Sequence, residues 1–159
     1  MQPTPPKPSL LALAGFLVLC FAVAALGGLT TTPNIPNWYA GLAKPSWTPP
    51  SWVFGPVWSV LYLSMAVAAW LVWRKGDALM PLILFAVQLA LNAAWSWLFF
   101  GMHSPSAAFV DIVLLWVAIA ATTAVFWRRS PVAGILFVPY LIWVSFATVL
   151  NFAIWRLNG

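Results

Sequence analysis

The stretch from Leu79 to Phe100 reads LMPLILFAVQLALNAAWSWLFF. It contains no charged residue, and its apolar positions run on continuously instead of alternating. A run of about 20 apolar residues is what a helix needs to cross a bilayer, whereas strands of a membrane barrel alternate with period two. The polar residues within it also keep helical time. Gln88, Asn92, Trp95 and Phe99 fall at i, i+4, i+7 and i+11 on one stripe, and Ala86, Ala90 and Ala94 lie nearly opposite. Amides do not face lipid cheaply, so the first stripe is expected to look into a helical bundle. The alanine ladder allows close approach of another helix, either an internal neighbour or a second copy of the chain.

Working outward, charges and prolines divide the rest into four more runs of the same kind. Together they predict an all-α integral membrane bundle of five transmembrane helices, at about residues 9–29, 51–73, 79–100, 105–127 and 131–155, forming a single domain over 1–159. Pro105 and Pro131 stand at helix starts, where a missing N–H does no harm. Gly101–Ser104 and Arg128–Ser130 allow only tight hairpins, so sequential helices are expected to pack antiparallel. The first connection, 30–50, is different. Pro33, Pro36, Pro45, Pro49 and Pro50, with aromatics between them, argue for a structured lid instead of a slack linker.

Composition agrees and excludes several classes. The chain is 64% hydrophobic and 6% charged, against about 25% charged in a soluble domain. A soluble enzyme, a disordered tail and a disulfide scaffold are all excluded, the last because Cys20 is the sole cysteine. The net charge of +5 comes from Lys7, Lys44, Arg74, Lys75, Arg128, Arg129 and Arg156, which punctuate the apolar runs and form no nucleic-acid footprint. Five of these cations fall on the side of the N-terminus and two on the other. In a bacterial inner membrane that places the N-terminus in the cytoplasm and the long loop outside. Lys7, the following apolar run and Ala22-Val23-Ala24 loosely fit a cleavable signal, but the run continues past that point and is read as a retained helix.

Catalytic chemistry is sparse. One His, one Cys and two acids supply no HExxH, paired carboxylate, Ser/His/Asp set, phosphate loop or metal site, and too few ionisable groups for a proton or ion pathway. Asp77 and His103 read as turn residues. Asp111 reads as a carboxylate near the interface, favoured by the positive end of its helix, with a polar contact beneath the third loop as the alternative. Aromatic rings are plentiful instead. Twelve Trp exceed what interfacial belts need. Phe54, Trp58, Tyr62 and Met65 form one stripe on the second helix, and Tyr140, Trp143 and Ala147, followed by Asn151, form another on the fifth. With Trp95 they predict a cavity walled by indole and phenol faces under the lid, suited to a flat, apolar ligand. Simple core filling is the alternative.

The segment Trp38–Pro50, followed by Phe54-Gly55-Pro56-Val57-Trp58, resembles the tryptophan-rich sensory protein/translocator protein (TspO/MBR, peripheral-type benzodiazepine receptor) family. Gln88–Asn92 and Val138–Trp143 match its later motifs, and the resemblance runs from the first helix to Arg156. It implies five membrane helices, often a homodimer, and a pocket for porphyrins such as protoporphyrin IX, a haem-related tetrapyrrole, or synthetic benzodiazepine-site ligands. It implies no required cofactor. Carried over motif by motif, the ligand-lining residues are Tyr39, Phe54, Trp58, Tyr62, Asn92, Trp95, Trp143, Phe146 and Ala147. Trp58 and Trp143 match the pair associated with light-dependent porphyrin breakdown. Leu150–Arg156 resembles the family's cholesterol-recognition segment, but Phe152 stands where that pattern has Tyr, which argues against sterol binding.

These readings converge on a membrane receptor or carrier that binds a tetrapyrrole and regulates porphyrin handling or stress responses. Trp58, Trp95 and Trp143 would contact the macrocycle and Asn92 would add a polar contact. Lys44 would pair with a propionate or, more simply, snorkel to the interface. The alternatives are light-dependent porphyrin degradation and a ligand-free structural partner. Ala86, Ala90 and Ala94 are the candidate dimer face.

Overall fold

The computed structural model describes residues 9–159, and among these it contains five long helices and no strand. They are α1 (Leu10–Thr31), α2 (Phe54–Trp73), α3 (Leu79–Ser96), α4 (Pro105–Arg129) and α5 (Pro131–Asn158). Each, with its short terminal turns, is long and apolar enough to cross a membrane. Lys7, one of the cations that orient the chain, lies outside the described residues.

Local chemistry sets the helix ends. The Ser9 hydroxyl accepts from the Ala12 N–H at 3.1 Å and caps α1. Ser104 and Ser130 cap α4 and α5 in the same way, each ahead of a proline in the first turn. Ser130 alone separates α4 from α5. Arg128 and Arg129, expected in the connection, instead complete the last turn of α4, where the helix dipole favours cations. α1 runs to Thr31 instead of Leu29, and α5 to Asn158 instead of Trp155. The regular part of α3 stops at Ser96 and widens into a π turn over Trp97–Gly101, with the Met102 N–H donating to the Trp97 carbonyl at 2.8 Å. That wide turn brings the consecutive rings of Phe99 and Phe100 both inward.

The helices close into a ring in the order α1, α2, α5, α4, α3 and back to α1. Connectivity makes all neighbours antiparallel except α1 and α3. The expectation of antiparallel sequential pairs therefore holds for three of the four. α2 and α3 barely touch, because α1 sits between them and the turn through Gly76 (φ +73°) and Asp77 (φ +44°) lets them part. Away from the lid the bundle is solid. Phe126 and Phe137 meet at 5.0 Å, Phe85 lies 6.2 and 6.3 Å from them, and Ala66, Ala68, Ala69 and Ala133 are fully buried beside them. α4 and α5 approach so closely that a Cβ on Gly134 would lie 2.8 Å from the Trp127 Cα.

Gln88, Asn92 and Phe99 are buried and Trp95 is half-buried, so the polar stripe of α3 faces inward as expected. Ala86 and Ala90 are exposed and Ala94 is half-buried, so the ladder does not serve an internal neighbour along its length. In α1 only Cys20 is buried, which marks this helix as the most peripheral.

Candidate ligand chamber

The lid is built from two 3₁₀ turns, Thr32–Asn34 and Tyr39–Gly41, and a proline-rich stretch that enters α2 through a third at Ser51–Val53. Three staples hold it. The Lys44 ammonium donates to the carbonyls of Tyr39 (2.8 Å), Leu42 (3.0 Å) and Ala40 (3.4 Å) and lies 4.7 Å over the Tyr39 ring. At the end of α5, the Asn158 amide accepts from the Ala43 N–H at 2.9 Å and donates to its carbonyl at 2.8 Å. On the third side, Trp38 stacks on His103 at 4.5 Å, and His103 Nε2 meets the Asn34 amide oxygen at 2.8 Å. His103 (φ +52°) is thus a turn residue that also anchors the lid. Lys44 thus donates to the carbonyls of its own lid, a contact that neither role expected of it included. Burial pushes the Tyr39 phenol above its usual range, so it is a neutral hydroxyl at physiological pH.

Beneath the lid is a chamber of about 460 Å³. Tyr39 forms its roof, Phe54, Trp58 and Tyr62 come from α2, and Asn92 and Trp95 from α3. Trp143, Phe146 and Ala147 complete it from α5. All nine positions implied by the family resemblance therefore line one space. Tyr140 and Met65, placed on the same stripes, do not line it. Both are wholly buried below its floor. The walls also include Phe99 and Phe100, brought in by the π turn, and Ala24, Gly27 and Gly28 of α1. Phe99 was visible on the α3 stripe. Nothing in the uniformly apolar α1 marked which of its faces would look inward.

A directional hydrogen-bond chain braces the floor. Tyr62 donates to the Asn92 amide oxygen at 2.7 Å, the Asn92 amide nitrogen donates to the Tyr140 hydroxyl at 2.7 Å, and Tyr140 donates to the Gln88 amide oxygen at 2.8 Å. In the wall, Trp95 Nε1 donates to the Asn151 amide oxygen at 2.9 Å, and Asn151 donates to the Pro105 carbonyl at 2.8 Å. Asn92 therefore holds two helices together through both ends of its carboxamide before it meets any ligand. Among the described residues three buried side-chain polar atoms lack a partner, Arg74 Nε, Asp111 Oδ2 and Trp143 Nε1. Asp111 is buried in the bundle at 7% exposure and its Oδ2 has no partner, so it does not make the polar contact that was the alternative expected beneath the third loop.

The chamber opens sideways. Its exposed wall residues, Thr32, Ser51, Trp52, Gly55 and Ser59, cluster where α1 ends and α2 begins. Small residues keep this slot clear: a Cβ on Gly28 or Gly55 would meet nothing within 4 Å. No charged side chain lines the chamber, and no cluster of metal-ligating side chains occurs, among the described residues.

A family model described as the TspO/MBR family matches residues 16–156. The chain is 49% identical to the tryptophan-rich protein TspO of Chlorobaculum tepidum over 94% of its own length and 97% of that protein's. It is 48% identical to the human translocator protein, over 77% of this chain and 75% of that one. It is 42% identical to the tryptophan-rich sensory protein of Cereibacter sphaeroides, over 90% and 89% of the two chains.

Proposed function

The chain belongs to the TspO/MBR family, and from that premise we propose that it is a membrane receptor or carrier that binds a tetrapyrrole, protoporphyrin IX or a haem-related macrocycle, beneath its lid. The observation that carries this reading is the convergence of the nine motif positions on one chamber. Its volume falls within the roughly 300–1,000 Å³ range of small-molecule sites. Its walls present ring faces from three helices, and a planar macrocycle gains from both stacking and burial against such walls. The same site is the one at which a synthetic benzodiazepine-site ligand would compete. In this reading regulation of porphyrin handling or stress responses follows from occupancy of the chamber. The protein sits in a bacterial inner membrane with its N-terminus in the cytoplasm, and a second copy packs on the outward Ala86–Ala90 face.

One observation favours a second reading, photo-oxidative porphyrin breakdown. Trp58 and Trp143 both stand in the chamber wall, and Trp58 lies 5.7 Å from the Tyr62 ring and 6.2 Å from the Tyr140 ring. An indole beside two phenols can exchange electrons with a ligand stacked on it.

The test is a protoporphyrin IX titration in nanodiscs, following tryptophan quenching in the dark. Trp58→Phe and Trp143→Phe are compared with Trp73→Phe, an exposed ring outside the chamber. Saturable quenching weakened by the first two and not the third is expected. Linear quenching identical in all would mean partition into lipid and would end the tetrapyrrole reading. Repeating the titration under light separates binding from breakdown, since only the latter bleaches porphyrin absorbance and stops in Trp58→Phe while binding persists.

A further inference from the structure

We propose that the end of the bundle away from the lid holds the headgroup of an anionic membrane phospholipid, anchored by the guanidinium of Arg74 where α1 and α2 meet. This site is separate from the chamber and does not depend on what the chamber takes.

The positive charge at this end has no counterpart within the chain. α2 and α4 finish here and α1, α3 and α5 begin here, which gathers Arg74, Lys75, Arg128 and Arg129 at one end. The whole chain has only two acids, Asp77 and Asp111. Asp111 lies near the start of α4, at the lid end. The C-terminus is there as well, since Asn158 meets Ala43. Asp77 pairs with Arg129 at 3.7 Å and is 94% exposed, and Arg129 also donates to the Gly76 carbonyl at 3.3 Å. Arg74, Lys75 and Arg128 are left without a carboxylate, so an anion that neutralises them must come from outside the chain.

Arg74 differs from the other two in being held. Its guanidinium carbon lies 4.6 Å over the Trp70 ring. Trp70 Nε1 in turn donates to the Ser9 carbonyl at 3.0 Å, which ties the indole to the start of α1. Nε of Arg74 is covered by protein, but the side chain as a whole is only half-buried, so its outer nitrogens are the ones left open. Among the described residues these make no hydrogen bond. Lys75 and Arg128, by contrast, are exposed. A guanidinium fixed on an indole presents a planar edge of donors to two phosphate oxygens at once and gives up little freedom in doing so. The surroundings favour a lipid over a dissolved phosphate. Trp73 and Trp127, next to Arg74 and Arg128, expose their rings as interfacial aromatics do. Leu10 and Leu11, which follow Ser9, are exposed and offer an acyl chain an apolar surface. Basic pockets between membrane helices are where phosphate headgroups settle.

The experiment titrates the full chain in detergent micelles with phosphatidylglycerol, phosphatidylcholine of the same acyl chains, or glycerol phosphate, and reads bound molecules by native mass spectrometry. Phosphatidylglycerol is expected to bind at least about fivefold more tightly than phosphatidylcholine, and glycerol phosphate is expected not to be retained. Arg74→Gln is expected to bring phosphatidylglycerol down to the affinity of phosphatidylcholine. Arg128→Gln removes a cation that nothing pins and is expected to change the affinity less than twofold. Equal affinity for the two lipids, or a preference that survives Arg74→Gln, would overturn the proposal. Equal losses in the two variants would overturn it too, by showing a diffuse belt of charge instead of a site. Glycerol phosphate binding as tightly as phosphatidylglycerol would overturn it in favour of a dissolved phosphate. Arg74→Lys guards against a glutamine variant that merely fails to fold. It keeps the charge without the flat fork and is expected to lose at least half of the preference, and an undiminished preference there would also overturn the proposal.

Discussion

At the end of the bundle away from the lid, Phe85, Phe126 and Phe137 meet ring to ring among buried alanines. At the lid end, Trp58, Trp95 and Trp143 stand around a chamber instead. Both ends are apolar and aromatic, so hydrophobicity does not distinguish them. The difference lies in what brings the backbones together. Alanines and Gly134 let helices close at the solid end, and ring-to-ring packing fills what remains. At the lid end bulky indoles on three helices prop the ring open, and hydrogen bonds take over the bracing. One end is held by packing and the other by polar contacts and lid staples, and substitutions should tell them apart.

The largest contrast is expected between two phenylalanines. Phe137→Ala, in the fully buried cluster, should destabilise by about 3–5 kcal/mol. Phe146→Ala, in the half-buried chamber wall, should cost on the order of 1 kcal/mol, because its neighbourhood already tolerates space. Denaturant unfolding in a fixed lipid environment measures both, and equal losses would break the distinction between the two ends. Next in size is Gly134→Ala. The added Cβ meets Trp127 backbone that cannot swing away, and a loss of about 1–3 kcal/mol is expected, with no change in ligand affinity. A large fall in affinity there would show that the ends are mechanically coupled.

Two wall tryptophans sharpen the polar half of the comparison. Trp95→Phe removes the donor to Asn151 and should cost about 1 kcal/mol beyond its lost packing. Trp143→Phe removes an indole N–H that already lacks a partner, so its extra cost should be near zero and the same unfolding curves should separate the pair. The smallest global effect is expected for Asn158→Ala. Releasing the bidentate hold on Ala43 should change unfolding by about 0.5 kcal/mol or less. Amide exchange over residues 38–44 should nevertheless accelerate several-fold. Unchanged exchange would mean that Lys44 and His103 hold the lid without it.

Much of the site was legible because the relevant residues carry their own signal. An amide in an apolar helix must find polar company, so Gln88 and Asn92 announced an inward face. Rings repeated every three or four positions on α2 and α5 announced which sides would share it. Tyr140 shows the limit of that argument: it lies on the right stripe, yet one turn deeper it braces Asn92 from below the floor instead of facing the chamber. Lys44 shows another. A cation beside an aromatic lid suggested an anionic partner, but the carbonyls of its own turn were nearer. The π turn left no mark in Trp97-Leu98-Phe99-Phe100, since a widened turn depends on what the following hairpin must reach.

By itself, then, the amino-acid sequence determined that this chain spans a membrane as five helices, which faces of α2, α3 and α5 look inward, and that the first connection is shaped. Hydropathy, periodicity and proline content are properties of a segment and do not depend on its neighbours. Only the tertiary structure decided that α1 stands between α2 and α3 and supplies a wall of the chamber, that the opening is a lateral slot, and that Asn158 reaches back to the lid. Each of these depends on which helices become neighbours. Residues 115 apart in sequence meet at the Asn158–Ala43 pair, and no local pattern records that distance.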